Sequence, residues 1–185
     1  MKATGMVRRI DNLGRMVIPK EIRRTLRIRE GDSLAIFVNH EGEVILKKYS
    51  PVNEMGDFAK KYTDSIYEAI GHIACITDRD QVIAVSGDPK KKFLNKRIGS
   101  GLEDFIEKRK ALIITEPDQY SCFTFSTGEE VKCGCTTEVI APIIVEGYPI
   151  GAVIIASRRT NIVFGDLELK SAVTAASFLA KQMEL

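Results

Sequence analysis

Met6-Val7-Arg8-Arg9-Ile10-Asp11-Asn12-Leu13-Gly14-Arg15-Met16-Val17-Ile18-Pro19-Lys20-Glu21-Ile22-Arg23-Arg24-Thr25-Leu26-Arg27 carries six arginines in twenty-two residues and reads as a hairpin followed by a helix. Two short β-capable runs flank Asp11-Asn12-Leu13-Gly14, where Asn and Gly tolerate the positive φ of a tight turn. Pro19 has no N–H to donate and a φ already near the helical value, so it suits the first turn of a helix and not a strand interior. At about 100° per residue, Ile22 and Leu26 share one face of a helix of about eight residues, while Lys20, Arg23, Arg24 and Arg27 fill an adjacent arc.

A basic helical face is often no more than a solvated surface. Here Arg8, Arg9 and Arg15 on the hairpin add to it within the same short segment. Guanidinium groups are permanently charged planar forks that suit phosphate oxygens and the acceptor edge of guanine, so double-stranded DNA is the expected partner. Charge along the chain supports this: residues 1–50 hold eleven Lys and Arg against six Asp and Glu, and the remaining 135 hold sixteen against nineteen. The overall formal charge of +2 hides a basic head on a mildly acidic body.

Met1-Lys2-Ala3-Thr4-Gly5-Met6-Val7-Arg8-Arg9-Ile10 and Leu13-Gly14-Arg15-Met16-Val17-Ile18-Pro19, with Glu21 to Leu26 and Ile45-Leu46-Lys47-Lys48-Tyr49, closely resemble the AbrB family of swapped-hairpin transition-state regulators. The resemblance covers about the first fifty residues. It implies that Arg8, Arg15, Arg23 and Arg24 lie on DNA, and that hairpins from two chains interleave into one barrel. Arg9, Lys20 and Arg27 join the candidate set as neighbouring cations.

The residues lead to a dimer by a separate route. Glu30-Gly31-Asp32 and Asn39-His40-Glu41-Gly42 are turn signals around strands expected at Ser33–Val38 and Glu43–Tyr49. Met16-Val17-Ile18, Leu34 to Val38 and Val44-Ile45-Leu46 are apolar at consecutive positions, so each would bury both faces. One short helix cannot cover them, and a unit of about fifty residues with surplus apolar sheet is marginal alone. A homo-oligomer is expected, a dimer of heads with dimer and tetramer both open for the full chain, and two-fold symmetry presenting the arginines twice.

Ser50-Pro51-Val52-Asn53 reads as a hinge, dividing an expected DNA-binding domain, 1–52, from an expected second domain, 53–185. Asn53 suits an N-cap. Met55, Phe58, Ala59, Tyr62, Ile66, Ala69 and Ile70 form one helical stripe ended by Gly71. Strands are expected at Ile73–Thr77 and Val82–Ser86, a helical region at Phe93–Lys108, and strands at Leu112–Thr115, Cys122–Phe125, Glu138–Val145 and Ile150–Ser157, with Glu146-Gly147 closing a hairpin. A last helix is expected from Asp166 to Met183, with a stripe from Leu169 to Met183 and Leu167 and Phe178 nearly opposite. Two apolar faces need two partners: the sheet, and a helix such as 54–70 of the same or a second chain.

This order fits an α+β sheet domain and resembles the GAF sensory domain, which implies helices flanking a sheet, a role in oligomerisation and possible binding of a small ligand. The pairing of the two parts resembles a family of sporulation regulators, close over the head and Ile143–Val153 and looser between about 85 and 140. The expected fold is therefore α+β, a swapped-hairpin barrel dimer followed by a GAF-like domain.

Cys133-Gly134-Cys135, with Cys122 nearby, is the one cluster with potential reactivity. Three thiols fall short of a closed zinc site, and His40 and His72 have no metal-type spacing. Some GAF-type domains are thiol enzymes that reduce free methionine sulfoxide, but Glu129, Glu130 and Glu138 would raise nearby thiol pKa values and so oppose thiolate chemistry. Neither histidine belongs to a triad-like pattern. Gly87, Gly99 and Gly101 read as turns or caps, and no glycine-rich phosphate motif occurs. Antitoxins share AbrB-like heads but append short disordered tails, unlike the patterned sequence after residue 53. No apolar run approaches the length of about 18 needed for a membrane span, and no export signal is recognisable, so a cytoplasmic protein with reduced thiols is expected. The sequence predicts a DNA-binding transcriptional regulator with no cofactor or metal and no catalytic residues.

Overall fold

The structure is a computed structural model in which residues 6–87, 93–115 and 134–184 are described. The chain divides into two compact units, Met1–Tyr49 and Ser50–Leu185.

In the first unit, a helix α1 (Lys20–Thr25) is followed by an antiparallel hairpin of β1 (Leu34–Val38) and β2 (Val44–Lys48), paired from Leu34 with Lys48 to Val38 with Val44. The turn between them is closed by Asn39, whose Oδ1 accepts the N–H groups of Glu41 (3.1 Å) and Glu43 (2.8 Å). The expected leading hairpin differs: its turn forms, but the arms on either side of it are not paired as strands. The physical reason lies in the burial pattern. Among the described residues of this unit Pro19 alone is buried, and Val7, Val17 and Val38 are 89%, 75% and 73% exposed. Val38 lies on a two-stranded sheet with no cover, and Val7 and Val17 lie on arms with no partner strand, so all three are left in water.

The second unit begins with two helices in place of the single one read from the sequence. Ser50, and not Asn53, is the N-cap: its Oγ accepts the Asn53 N–H (3.2 Å), Pro51 takes the first position, and α2 spans Pro51–Glu54. Proline at N1 gives up a donor the helix would not have used. After Met55, α3 (Gly56–Ile70) runs to Gly71, which caps it in the left-handed region at φ 70°.

Five strands follow among the described residues: β3 (Ile73–Asp78), β4 (Val82–Ser86), β5 (Leu112–Thr115), β6 (Thr137–Val145) and β7 (Tyr148–Ser157), arranged β4-β3-β7-β6-β5 with every pair antiparallel. The β6–β7 turn uses positive φ at both Glu146 (50°) and Gly147 (82°), the handedness that matches strand twist in a two-residue hairpin. In the Phe93–Lys108 region Phe93 is helical and regular helix returns in α4 (Ser100–Glu107); between them the chain makes an isolated bridge, Gln81 to Arg97. The expected strand at Cys122–Phe125 lies outside the described residues.

Both sheet faces are covered, which explains the near-continuous apolar strands. Ile76, Val139, Ala141, Ile143, Val153 and Ile155 pack on one side with α5 (Asp166–Met183). Cys75, Ile140, Ala152 and Ile154 pack on the other with Leu102 and Ile106 of α4. In α5, Ala172, Ala175, Ala176 and Ala180 are buried, and their small side chains let the helix lie close to the sheet. Phe178 faces α3 of the same chain, its ring centroid 6.0 Å from Phe58 and 5.5 Å from Tyr62. Phe178 therefore has a partner within the chain, though it stays 39% exposed, while Leu167 on the same face is 66% exposed. At the start of α5 the Glu168 carboxylate accepts the Gly165 N–H at 2.8 Å, the half of a capping box that a glycine N-cap allows.

Helix α3 is tied to β4 by a polar cluster. Lys60 pairs with Asp64, and Ser86 Oγ lies 2.7 Å from Asp64 Oδ1, 2.9 Å from Thr63 Oγ1 and 3.2 Å from Lys60 Nζ. Thr63 and Ser86 are buried, and each has a partner, as buried polar groups require.

Candidate nucleic-acid interface

The basic segment starts at a tight turn. Gly14 takes the positive φ (75°), and its N–H donates to the Asp11 carbonyl (3.0 Å); the Asp11 N–H in turn donates to the Arg15 carbonyl (3.0 Å). Asp11 also organises this turn with its side chain. Oδ1 accepts the N–H groups of Leu13 (2.9 Å) and Arg15 (2.8 Å), while Oδ2 accepts Arg15 Nε at 2.8 Å. These bonds hold the Asp11 carboxyl below the usual carboxylate range, the backbone N–H of Arg15 contributing most and its side chain next.

Pro19 sits at the N-cap and not in the first turn, with ψ 147°, and its carbonyl accepts the Arg23 N–H (3.0 Å). Helix α1 then places Arg23 and Arg24 in its last turn, where cations are favoured by the helix dipole. Arg8, Arg9, Arg15, Lys20, Arg23 and Arg24 are all exposed. Ile22 is half-buried and Leu26 is 57% exposed, so the intended core face of the helix is uncovered within this unit.

Arg27 does not belong to the helical arc the sequence predicts for it. The helix ends at Thr25, and Arg27 takes φ 52°, its N–H donating to the Arg24 carbonyl (3.3 Å) while the Ile28 N–H donates to the Arg23 carbonyl (2.8 Å). That is the paired-bond stop usually built with glycine at the left-handed position. The connection onward is fixed by Asp32, which accepts the Arg29 N–H (2.8 Å) and Lys48 Nζ (3.0 Å); Lys48 Nζ also donates to the Arg27 carbonyl (3.1 Å). The sequence reading missed Asp11 as a partner of Arg15 and the Asp32–Lys48 pair. An Asp four residues before an Arg was a visible signal for the first; the second depends on the β1–β2 register.

Of the thiol cluster only Cys135 is among the described residues, and it is buried; Cys122 and Cys133 lie outside them, as do Glu129 and Glu130. Cys75, which the sequence reading passed over, is buried in β3, and burial first, then the Glu138 carboxylate, pushes its thiol pKa well up. Among the described residues no group of three His, Cys, Asp or Glu is arranged to hold a metal ion, and no helix is long and apolar enough to cross a membrane.

Comparison with known proteins gives this geometry a context. Residues 54–184 match the family described as stage V sporulation protein T C-terminal, transcription factor, and residues 7–54 match antidote-toxin recognition MazE, bacterial antitoxin. Stage V sporulation protein T of Bacillus subtilis is 54% identical over 184 residues, spanning 100% of this chain and 99% of the relative. The transition state regulatory protein AbrB of Bacillus subtilis is 61% identical over 51 residues, 28% of this chain and 52% of that protein. The GAF domain of an Acinetobacter phosphoenolpyruvate-protein phosphotransferase shares the body's fold, with TM-score 0.57 at 12% identity over 70% of this chain and 81% of that one. With a relative matched end to end at this identity and a family model covering the whole body, the chain belongs to the stage V sporulation protein T family of transcription factors.

Proposed function

We propose that this protein regulates transcription by docking a dimeric head on duplex DNA through Arg8, Arg15, Arg23 and Arg24, with Arg9 and Lys20 adding phosphate contacts. The observation that carries the reading is the exposed basic turn and helix on a unit most of whose large apolar side chains are exposed and, among the described residues, none buried but Pro19. Two copies complete it: the unpaired arms beside Asp11–Gly14 and the exposed faces of β1 and β2 bury each other, and two-fold symmetry doubles the arginine set. Phosphate contacts supply salt-dependent affinity, and arginines on a turn and a short helix read groove shape as well as base edges. The body, Ser50–Leu185 with its leading helices, assembles the chains as a dimer or tetramer and is the unit through which a small ligand would act. That last role rests on likeness to GAF folds.

Alanine at each of the four arginines, in the full-length protein, tests the interface by gel-shift titration with circular dichroism as the fold control. Each variant is expected to bind several-fold more weakly, and a variant that loses a phosphate contact in both heads should lower the salt slope by about 2. Unchanged binding in all four would refute the assignment. Light scattering of the full-length protein distinguishes dimer from tetramer, and a monomer that still binds DNA would overturn the shared head.

A further inference from the structure

We infer that Asp11 is a positioning residue for DNA recognition: it fixes the Arg15 guanidinium so that the protein discriminates between duplex sequences, at the cost of some sequence-independent affinity. The inference rests on the proposed role of Arg15 at the DNA interface.

Three bonds single out this carboxylate. Oδ1 is held by the N–H groups of Leu13 and Arg15, so the carboxyl plane is set by the turn itself, and Oδ2 is left facing Arg15 Nε at 2.8 Å. One side chain thus grips both the main chain and the side chain of Arg15. Elsewhere an acidic and a basic residue four apart are commonly a solvated pair, and side-chain exposures of 71% for Arg15 and 38% for Asp11 make the Coulomb attraction alone weak. Here the acceptor is already anchored by backbone, so the guanidinium loses freedom without a second flexible chain being ordered.

The geometry also settles which part of Arg15 stays available. Arginine has five N–H donors, and engagement at Nε leaves the Nη edge, the part of the fork suited to two neighbouring acceptors on a base or phosphate. An arginine held in one orientation rewards a duplex whose acceptors lie where the fork points, and rewards others less. The same carboxylate adds a negative charge beside the phosphates, which lowers affinity for every duplex alike. Asp11 should therefore raise the ratio of preferred to non-preferred binding while reducing the baseline.

Asp11→Asn separates these effects, since an amide Oδ1 still accepts the two turn N–H groups but the charged acceptor for Nε is gone. The full-length native protein, Asp11→Asn, Arg15→Ala and the double variant are titrated against a duplex enriched from a randomised pool on the native protein and against a mixed-sequence duplex of equal length. For Asp11→Asn, mixed-sequence affinity should rise about twofold and the preference ratio fall about two- to fivefold, the range open to an exposed pair. Combined with Arg15→Ala, Asp11→Asn should leave the ratio where Arg15→Ala alone puts it. A ratio unchanged by Asp11→Asn, or lowered equally in both arginine backgrounds, overturns the positioning role. If Arg15→Ala alone changes neither affinity nor ratio, the interface assignment itself has failed, and the two failures are distinct. Asp11→Glu, which keeps the charge on a longer arm that no longer fits the turn, should not restore the native ratio.

Discussion

Gly151 stands opposite Asp78 where β3 and β7 pair at the centre of the sheet. A Cβ built on Gly151 would lie 2.1 Å from the Thr77 carbonyl oxygen and 3.1 Å from Asp78 Cα, whereas real Cβ atoms essentially never come within 3.0 Å of a neighbour. The obstructing atoms are backbone, so relief requires the two strands to part by about 1 Å, and overpacking of this kind costs about 3 kcal/mol. For a body of this size that lowers the midpoint of unfolding by about 10 °C. Gly56 is the matched control: nothing lies within 4 Å of its Cβ position and it opens α3, so Gly56→Ala should be neutral or stabilising by up to about 1 kcal/mol. Calorimetry and circular dichroism melts of both full-length variants make the comparison. A fall of less than about 3 °C for Gly151→Ala, or an equal fall for Gly56→Ala, would refute the steric reasoning.

Arg27→Gly should stabilise the first unit by up to about 1 kcal/mol in urea titration, because glycine adopts the left-handed φ of 52° without strain, and DNA affinity should change little since the side chain is off the helical arc. Asp78 is held above its ordinary carboxyl range mainly by burial, against the opposing bonds from Asp80 N, Gln81 N and Ser50 Oγ. A raised native pKa means the folded state binds the proton more tightly than the unfolded one, so native stability declines as pH rises from 3.8 through that raised value. Asp78→Asn should therefore gain on the native protein at neutral pH, with the advantage fading as pH falls through the same window; a pH-independent difference would contradict this. Cys75 should resist alkylation in the folded protein and react only on denaturation, read by mass spectrometry of labelled peptides.

The body was largely legible because its signals are local and repeated. Ile150 to Ala156 is a run without a polar side chain because β7 sits between β3 and β6 with both faces covered. Gly71 and Glu146-Gly147 sit where positive φ is needed, and the stripe from Leu169 to Met183 marks α5. Local signals misled where two competed. Asn53 and Ser50 both suit an N-cap, and Pro51, which belongs at N1, decided for Ser50. The arc of cations extends two residues past the end of α1 at Thr25, because nothing in the residue type announces an arginine in the left-handed region. The Phe93–Lys108 region reads as helical from its apolar spacing, yet residues 95–98 are held instead by backbone bonds to Asp80 and Val82 and the bridge from Gln81 to Arg97, contacts invisible to periodicity.

The sequence by itself determined the chemistry of the first unit: arginines in number, a turn at Asp11–Gly14, a proline before a helix, and more apolar strand than one short helix covers. Those are properties of residue type and spacing, which chain order alone carries. Tertiary structure decided which side chains hold one another. Only in the folded turn does one Asp11 oxygen take two backbone N–H groups while the other takes Arg15 Nε, and only the β1–β2 register brings Lys48 to Asp32 and the Arg27 carbonyl. Orientation is a property of distances and angles between groups, and those exist once the chain has folded.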